Sequence, residues 1–201
     1  MANNLSPVPI LNANTTQINV YQLNANKSHP PHAQLLSYAA SPPQQSHKPN
    51  NQQNQYYVAL IQEPYCNNGK LPGHKGLKRH KSDSNNRVRA CIYTSNNLTT
   101  CKFNQFTNDD IVTIGIKFDS KTIIFCSAYL PPLLDEPIDP ILTDLVSHCR
   151  TEKLDLIIGS DVNGHHVAWG NNRYNQRGHE IFNFLVTNNL NIKIIGNTPT
   201  Y

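Results

Sequence analysis

Short apolar runs, each closed by a polar residue or a proline, alternate along this chain with segments of helical period, and that alternation constrains the fold most. "YYVALIQEP" (residues 56 to 64) is almost continuously apolar and ends on Glu-Pro, as a buried strand does. "IVTIGIKF" (111 to 118) places Val112, Ile114, Ile116 and Phe118 at every second position, the period of a pleated strand. "TQINVYQLN" (16 to 24), "VRACIYT", "KTIIFCSAYLP", "LDLIIGSD" and "NIKIIG" read as further strands. Between Pro137 and Arg150, Ile138, Ile141, Leu142, Leu145, Val146 and Cys149 recur at helical spacing. "HPPHAQLLSYAA", with Leu35, Leu36 and Ala39 inward, and "GHEIFNFLVTNNL" are the other helices. Strands and helices in alternation predict an α/β domain, a layered sheet with helices packed outside.

The length of 201 residues suits one such domain, burying roughly 70% of its unfolded surface. Apolar residues make up 38% and charged residues 15%. Both are low because Asn, Gln, Ser, Thr and Pro fill the difference, above all before residue 56. Residues 1 to 15 read as a disordered lead-in and "SPPQQSHKPNNQQNQ" (41 to 55), without an apolar residue, as a flexible low-complexity loop within a domain spanning 16 to 201. A net charge of +4 fits a polyanionic partner but does not require one. Cys66, Cys91, Cys101, Cys126 and Cys149 are an odd set without a C-x-x-C pair, which predicts reduced thiols rather than a disulfide framework or a zinc knuckle. No apolar run reaches membrane-spanning length, and the N-terminus lacks the pattern of a signal peptide. The expectation is a soluble, non-secreted protein with no membrane partner.

Several strands end in residues suited to a metal or a phosphate. Asn24 follows "INVYQL", Glu63 follows "VALIQ", Asp161 and Asn163 follow "DLIIGS", and Tyr129 closes "FCSAY". Strand ends on one rim of a sheet converge, so side chains from separate strands can line one cleft. Carboxylates and amides without a soft-ligand cluster favour Mg²⁺, and Mg²⁺ beside a carboxylate suits phosphate-ester cleavage. Plainer roles exist for each residue. Asp161 could cap a turn, Asn163-Gly164 is a common turn dipeptide, Glu63 could be a solvated strand end, and Tyr129 could be a core aromatic. His165 and His166 invite a zinc reading, but neighbours in extended chain point to opposite sides and no partner ligand stands at helical spacing. One of them and Trp169 are instead expected to brace the loop behind Asp161. Lys75, Lys78 and Arg79 lie in a Gly- and Lys-rich loop that could track a nucleic-acid backbone or simply be solvated; Arg173 and Arg177 are the better candidates for a phosphate contact.

In order along the chain, "INVYQLN", "VALIQEPY", "RACIY", "SAYLPP", "LIIGSDVNGHHVAWG", "NQRGHEIFNFL" and "GNTPTY" resemble the endonuclease domain of non-LTR retrotransposons. That domain is similar to the apurinic endonucleases and belongs to the endonuclease/exonuclease/phosphatase superfamily. The resemblance spans about residues 16 to 201. It implies a two-sheet α/β sandwich of the deoxyribonuclease-I-like type and a Mg²⁺-dependent DNA endonuclease, with Mn²⁺ as a possible substitute and no small-molecule cofactor. Such an enzyme nicks target DNA, in the nucleus or cytoplasm, so that a 3′-hydroxyl can prime reverse transcription. Carried over by position, Glu63 would ligate the metal with Asn24 beside it, Asp161 would activate water, Asn163 would hold the phosphate, and Tyr129 would contact the scissile phosphate. Asn26 competes with Asn24, which lies closer to its strand. The family pattern continues past "GNTPTY" to an Asp and a Ser-Asp-His motif without counterpart here. The resemblance therefore implies a C-terminally truncated domain lacking its last strands. The alternative is a catalytically inactive retrotransposon-derived fragment that at most binds nucleic acid.

Overall fold

The pleat of one strand sorts its residues between two hydrophobic layers. In the computed structural model, which describes residues 8–11, 17–40, 55–84, 87–118, 120–133 and 136–193, strand β3 (Gln55–Gln62) turns Tyr57, Ala59 and Ile61 to one cluster and Val58 and Leu60 to another. Period-two alternation with both faces buried makes such a strand read as a continuous apolar run.

The remaining strands are β1 (Val8–Leu11), β2 (Gln17–Asn24), β4 (Leu77–His80), β5 (Ala90–Ser95), β6 (Thr100–Lys102), β7 (Ile111–Phe118), β8 (Lys121–Tyr129) and β9 (Asp155–Asp161). Among the described residues they form two mixed sheets, ordered β1-β2-β3-β5-β4 and β6-β7-β8-β9. Parallel pairing is confined to β2 with β3 and β8 with β9. Each of these pairs is joined through a helix, α1 (His29–Ala40) and α2 (Pro140–Thr151) respectively, because parallel neighbours need a crossover. Leu35, Leu36 and Ala39 of α1 pack on the outer face of the first sheet, and Leu142, Leu145 and Cys149 of α2 on the outer face of the second. Between the sheets lie Ile18, Val58, Leu60, Ile92, Val112, Ile114, Ile116 and Phe125. This is the two-sheet α/β sandwich that the resemblance implied.

Local chemistry sets the element ends. Asp139 caps α2, accepting from the Ile141 amide at 2.8 Å with Pro140 following, so the helix starts later than the apolar spacing alone suggests. Asn175 caps α3 (Gln176–Thr187) by accepting from the Gly178 amide at 2.8 Å.

Three readings are corrected. Val8–Leu11, assigned above to a disordered lead-in, pairs antiparallel with β2; the neighbouring polar residues had masked a four-residue edge strand. Leu77–His80, read as loop, pairs antiparallel with β5, because the ladder hydrogen bonds with a strand already in place outweigh a Gly- and Lys-rich composition. Asn191–Lys193, the described part of "NIKIIG", has no strand structure. Residues 41 to 54 of the expected flexible loop lie outside the described residues, and Gln55 already belongs to β3.

The sheets approach closely at Gly159, where an added Cβ would stand 2.8 Å from both Leu60 Cβ and Leu60 Cδ1. Gly159→Ala should therefore destabilise the fold by about 1–3 kcal/mol, the usual cost of overpacking. A shift of the urea midpoint to lower concentration at unchanged slope is the expected result; an unchanged midpoint would show that the sheets separate freely.

Candidate active site

Directly beneath the sandwich rim, the apolar interior gives way to a polar seam. Gln62, wholly buried, donates from Nε2 to Ser127 Oγ and to the Gly159 carbonyl, both at 2.9 Å. Ser127 Oγ donates to the Ile61 carbonyl at 3.0 Å, and Gln22 Nε2 donates to the Ser160 carbonyl at 2.8 Å. Each bond joins one sheet to the other, so the strands that end above the seam are held in fixed relation. A buried polar network is stable only when its members are satisfied; the Gln62 amide is, its Oε1 accepting from Gln22 Nε2 at 3.3 Å.

Above it, Asn24, Glu63, Tyr129 and Asp161 emerge from β2, β3, β8 and β9. The two parallel pairs bring these strand ends to the same rim, with Tyr129 opposite Asp161 in register. Asn24 Nδ2 donates to Asp161 Oδ2 at 2.6 Å, across the sheets. The Asn163 amide nitrogen Nδ2 donates to the Leu130 carbonyl at 3.1 Å and lies 3.4 Å from Asp161 Oδ2. Asn26 supplies only its backbone, donating to Asn24 Oδ1 at 2.8 Å, so Asn24 is the amide that faces Asp161.

Glu63 adopts a left-handed backbone conformation, φ 44°, although Pro64 follows. A residue before proline is ordinarily held extended, and a left-handed non-glycine residue costs about 1–2 kcal/mol. Two backbone bonds hold it there: its amide donates to the Arg89 carbonyl at 2.8 Å, and its carbonyl accepts from Lys27 at 2.7 Å. Asn163 is also left-handed, φ 47°.

The electrostatics follow first from burial and then from crowding of like charges. Burial raises the Asp161 carboxyl above its ordinary value, and the Glu63 charge adds to that, against opposing hydrogen bonds from Asn163 and the Arg177 charge. Burial likewise raises the Tyr129 phenol, with Glu63 and Asp161 adding to it. Lys27 Nζ lies 3.0 Å from Glu63 Oε1, so a cation already sits against that carboxylate.

This donor set suits a hard divalent ion. Two carboxylates within electrostatic reach of each other, one paired with an ammonium, present the charge that such an ion neutralises. Among the described residues no three His, Cys, Asp or Glu side chains cluster as a complete ligand set. The rest of the shell would be amide, water and phosphate oxygens, the pattern Mg²⁺ accepts.

The loop behind Asp161 is braced by the residues expected there. His166 is buried, stacks on Phe182 with ring centroids 4.3 Å apart and accepts from the Ala168 amide at 3.1 Å. Trp169 Nε1 donates to the Gly164 carbonyl at 2.9 Å, and exposed His165 meets Asn171 Oδ1 at 3.0 Å. Gly178 is obligatory, since a Cβ there would stand 2.0 Å from the His165 carbonyl oxygen.

The basic residues divide. Arg173 is exposed on the loop between β9 and α3. Arg177 donates to the carbonyls of Val162, Leu130 and Pro137 at 3.0, 3.2 and 3.2 Å, so it ties the Tyr129 and Asp161 loops together. Lys75 and Lys78 stand at the opposite end of the first sheet, where β4 pairs with Thr94 and Ser95; Lys78 and Arg79 donate to the carbonyls of Leu98 and Leu71. Gln62 and Arg89 lie within the quoted stretches "VALIQEPY" and "RACIY" but were given no role of their own, and Asp110 was not singled out. A glutamine inside an apolar run was the available signal for the first; nothing in the sequence paired Arg89 with Asp110.

Comparison with known proteins agrees with this geometry. Residues 123–201 match the family described as endonuclease-reverse transcriptase. Among solved structures the chain is similar to the endonuclease domain of TRAS1, a telomere-specific non-LTR retrotransposon, at 27% identity and a TM-score of 0.70, over 90% of this chain and 75% of that one. No curated protein matches. The resemblance read from the motifs is thus found again in both comparisons, and it supports a nuclease function. No helix among the described residues is long and apolar enough to cross a membrane.

A carboxyl raised by burial binds its proton more tightly folded than unfolded. As pH rises from the ordinary value of 3.8 through the raised one, the folded state must give up a proton it holds more firmly, and stability falls. Asp161→Asn lacks that loss. In metal-free buffer its denaturation midpoint should exceed the parent's at pH 7, with the advantage shrinking as the pH is lowered through that window. A variant less stable than the parent at pH 7 would contradict the electrostatic account.

Proposed function

We propose that the chain is a Mg²⁺-dependent endonuclease that hydrolyses a phosphodiester of DNA, leaving a nick. The observation that carries this reading is the Asn24–Asp161 hydrogen bond, which closes the two sheets over a cleft shared with Glu63, Tyr129 and Asn163. Glu63 and Asn24 would hold Mg²⁺, or Mn²⁺ in its place, which supplies charge neutralisation at the phosphate when bound. Asp161, fixed by Asn24 and Asn163, orients the attacking water and accepts its proton as the water oxygen bonds to phosphorus, the P–O3′ bond breaks and the departing 3′-oxygen takes a proton from solvent. Its raised proton affinity strengthens it as a base. Tyr129 donates its hydroxyl, kept neutral by burial first and by the neighbouring carboxylates second, to a phosphate oxygen. The Asn163 amide donates to the same phosphate. Arg173 contributes a backbone phosphate contact, whereas Lys75, Lys78 and Arg79 would serve only DNA that extends to the far end of the first sheet.

The test is relaxation of supercoiled plasmid by the purified chain with Mg²⁺. Glu63→Ala and Asp161→Ala should each lower the nicking rate by at least about 10²-fold, the range of a lost acid–base group or metal contact, and EDTA should abolish it. A folded chain that leaves plasmid supercoiled, or nicks equally well in both variants, would overturn the reading in favour of a nucleic-acid-binding remnant.

A further inference from the structure

Beside the cleft, one arginine has no part in the chemistry above yet touches the strands that carry it. The Arg89 guanidinium lies over the Tyr129 ring, 5.7 Å from its centroid, within reach of a cation–π contact. It engages the Asp110 carboxylate twice, through Nε and through Nη2, the latter at 2.6 Å. Asp110 is 9% exposed, and its own carbonyl accepts from the Tyr129 amide at 2.8 Å. The Arg89 carbonyl accepts from the strained Glu63 amide at 2.8 Å. The contacts close a ring: Glu63 to Arg89 through backbone, Arg89 to Asp110 through a two-point ion pair, Asp110 to Tyr129 through backbone, and Tyr129 back to Arg89 through its ring.

We propose that Arg89, held by Asp110, is a positioning residue that fixes the Tyr129 ring so that its hydroxyl meets the scissile phosphate. The catalytic part rests on the function proposed above; the hold on the ring does not. With the Arg89 side chain 34% exposed and that of Asp110 13%, the pair is only half-buried, and an ion pair open to solvent on one side contributes little to stability. Orientation is where it has effect: the guanidinium, fixed at two points, stands over the phenol and limits its rotation. The Arg89 charge also opposes the influence of Glu63 and Asp161 on that phenol. A purely structural pair would give neither a specific ring environment nor dependence on the tyrosine hydroxyl.

The test combines spectroscopy with kinetics. The chain is labelled with 3-fluorotyrosine, and the Tyr129 signal is assigned through Tyr129→Phe. Variants are Arg89→Lys, Arg89→Met and, because Met alone leaves Asp110 without its cation, the pair Arg89→Met/Asp110→Asn; urea denaturation confirms that each is folded. In Arg89→Met and in the pair variant the Tyr129 fluorine signal should move toward the free-tyrosine position, with Arg89→Lys between. In plasmid nicking, kcat should fall about tenfold with KM within about twofold, and the same change in a Tyr129→Phe background should cost less than about twofold. An unmoved fluorine signal in a folded variant overturns the proposal. So does a loss borne by KM, which would make Arg89 a DNA contact, or an equal loss with and without the hydroxyl. If the parent chain does not nick, the proposed function fails, and the fluorine signal alone decides whether Arg89 holds the ring.

Discussion

Gln62 is the side chain on which the arrangement of this site depends. It sits where two apolar sheets would otherwise slide on a greasy interface, and its amide donates to a hydroxyl and a carbonyl of the opposing sheet. Dispersion and hydrophobic contact have little directional preference; a buried amide with two acceptors has a strong one, since leaving it unpaired costs about 1–3 kcal/mol. With Gln22 reaching the Ser160 carbonyl beside it, the seam sets the offset between β3 and β9. That offset is what puts Asn24 at 2.6 Å from Asp161. The absence of a side chain at Gly159 is the complement: the strands can come this close only because nothing intervenes.

The architecture was legible in the sequence because its signals are local. "YYVALIQEP" and "IVTIGIKF" declare strands through their own periods, and strand ends of a layered fold are where chemistry collects. Asn24, Glu63, Tyr129, Asp161 and Asn163 could therefore be named, and the fold brings them together. What stayed hidden depends on partners distant in sequence. Arg177 looked like a phosphate contact because a basic residue near an Asp-x-Asn string invites that reading. Only the fold reveals that three carbonyls, one of them Pro137, converge on its guanidinium. Arg89 and Asp110 each stand just before a strand, 21 residues apart, and nothing local to either marks the other as its partner. The short edge strands β1 and β4 escaped because four residues carry too little period to outweigh composition.

The basic loop shows how misleading adjacency in sequence can be. Lys75 and Lys78 follow Glu63 within 15 residues, yet antiparallel pairing of β4 with β5 returns them to the far end of the sheet. The charges near the cleft, Lys27, Arg89 and Arg177, are each engaged by protein acceptors. Positive charge here shapes the site first and attracts a polyanion second. Net charge alone therefore says little about where such a partner would lie.

The same crowding that makes the rim expensive makes it reactive. Asp161 is half-buried beneath an amide, Glu63 is forced into a left-handed turn before a proline, and the two carboxylates repel each other. Each feature subtracts from stability, and each is held by a contact made elsewhere: the Arg89 carbonyl and Lys27 for Glu63, Asn24 and Arg177 for Asp161. A fold selected only for stability would relax these positions with a glycine or an asparagine. Because the restraints come from several separate elements, a cation or phosphate reaching this rim would meet groups already held in place. Little reorganisation would then be needed at the moment of reaction, which is the advantage of a preorganised polar site.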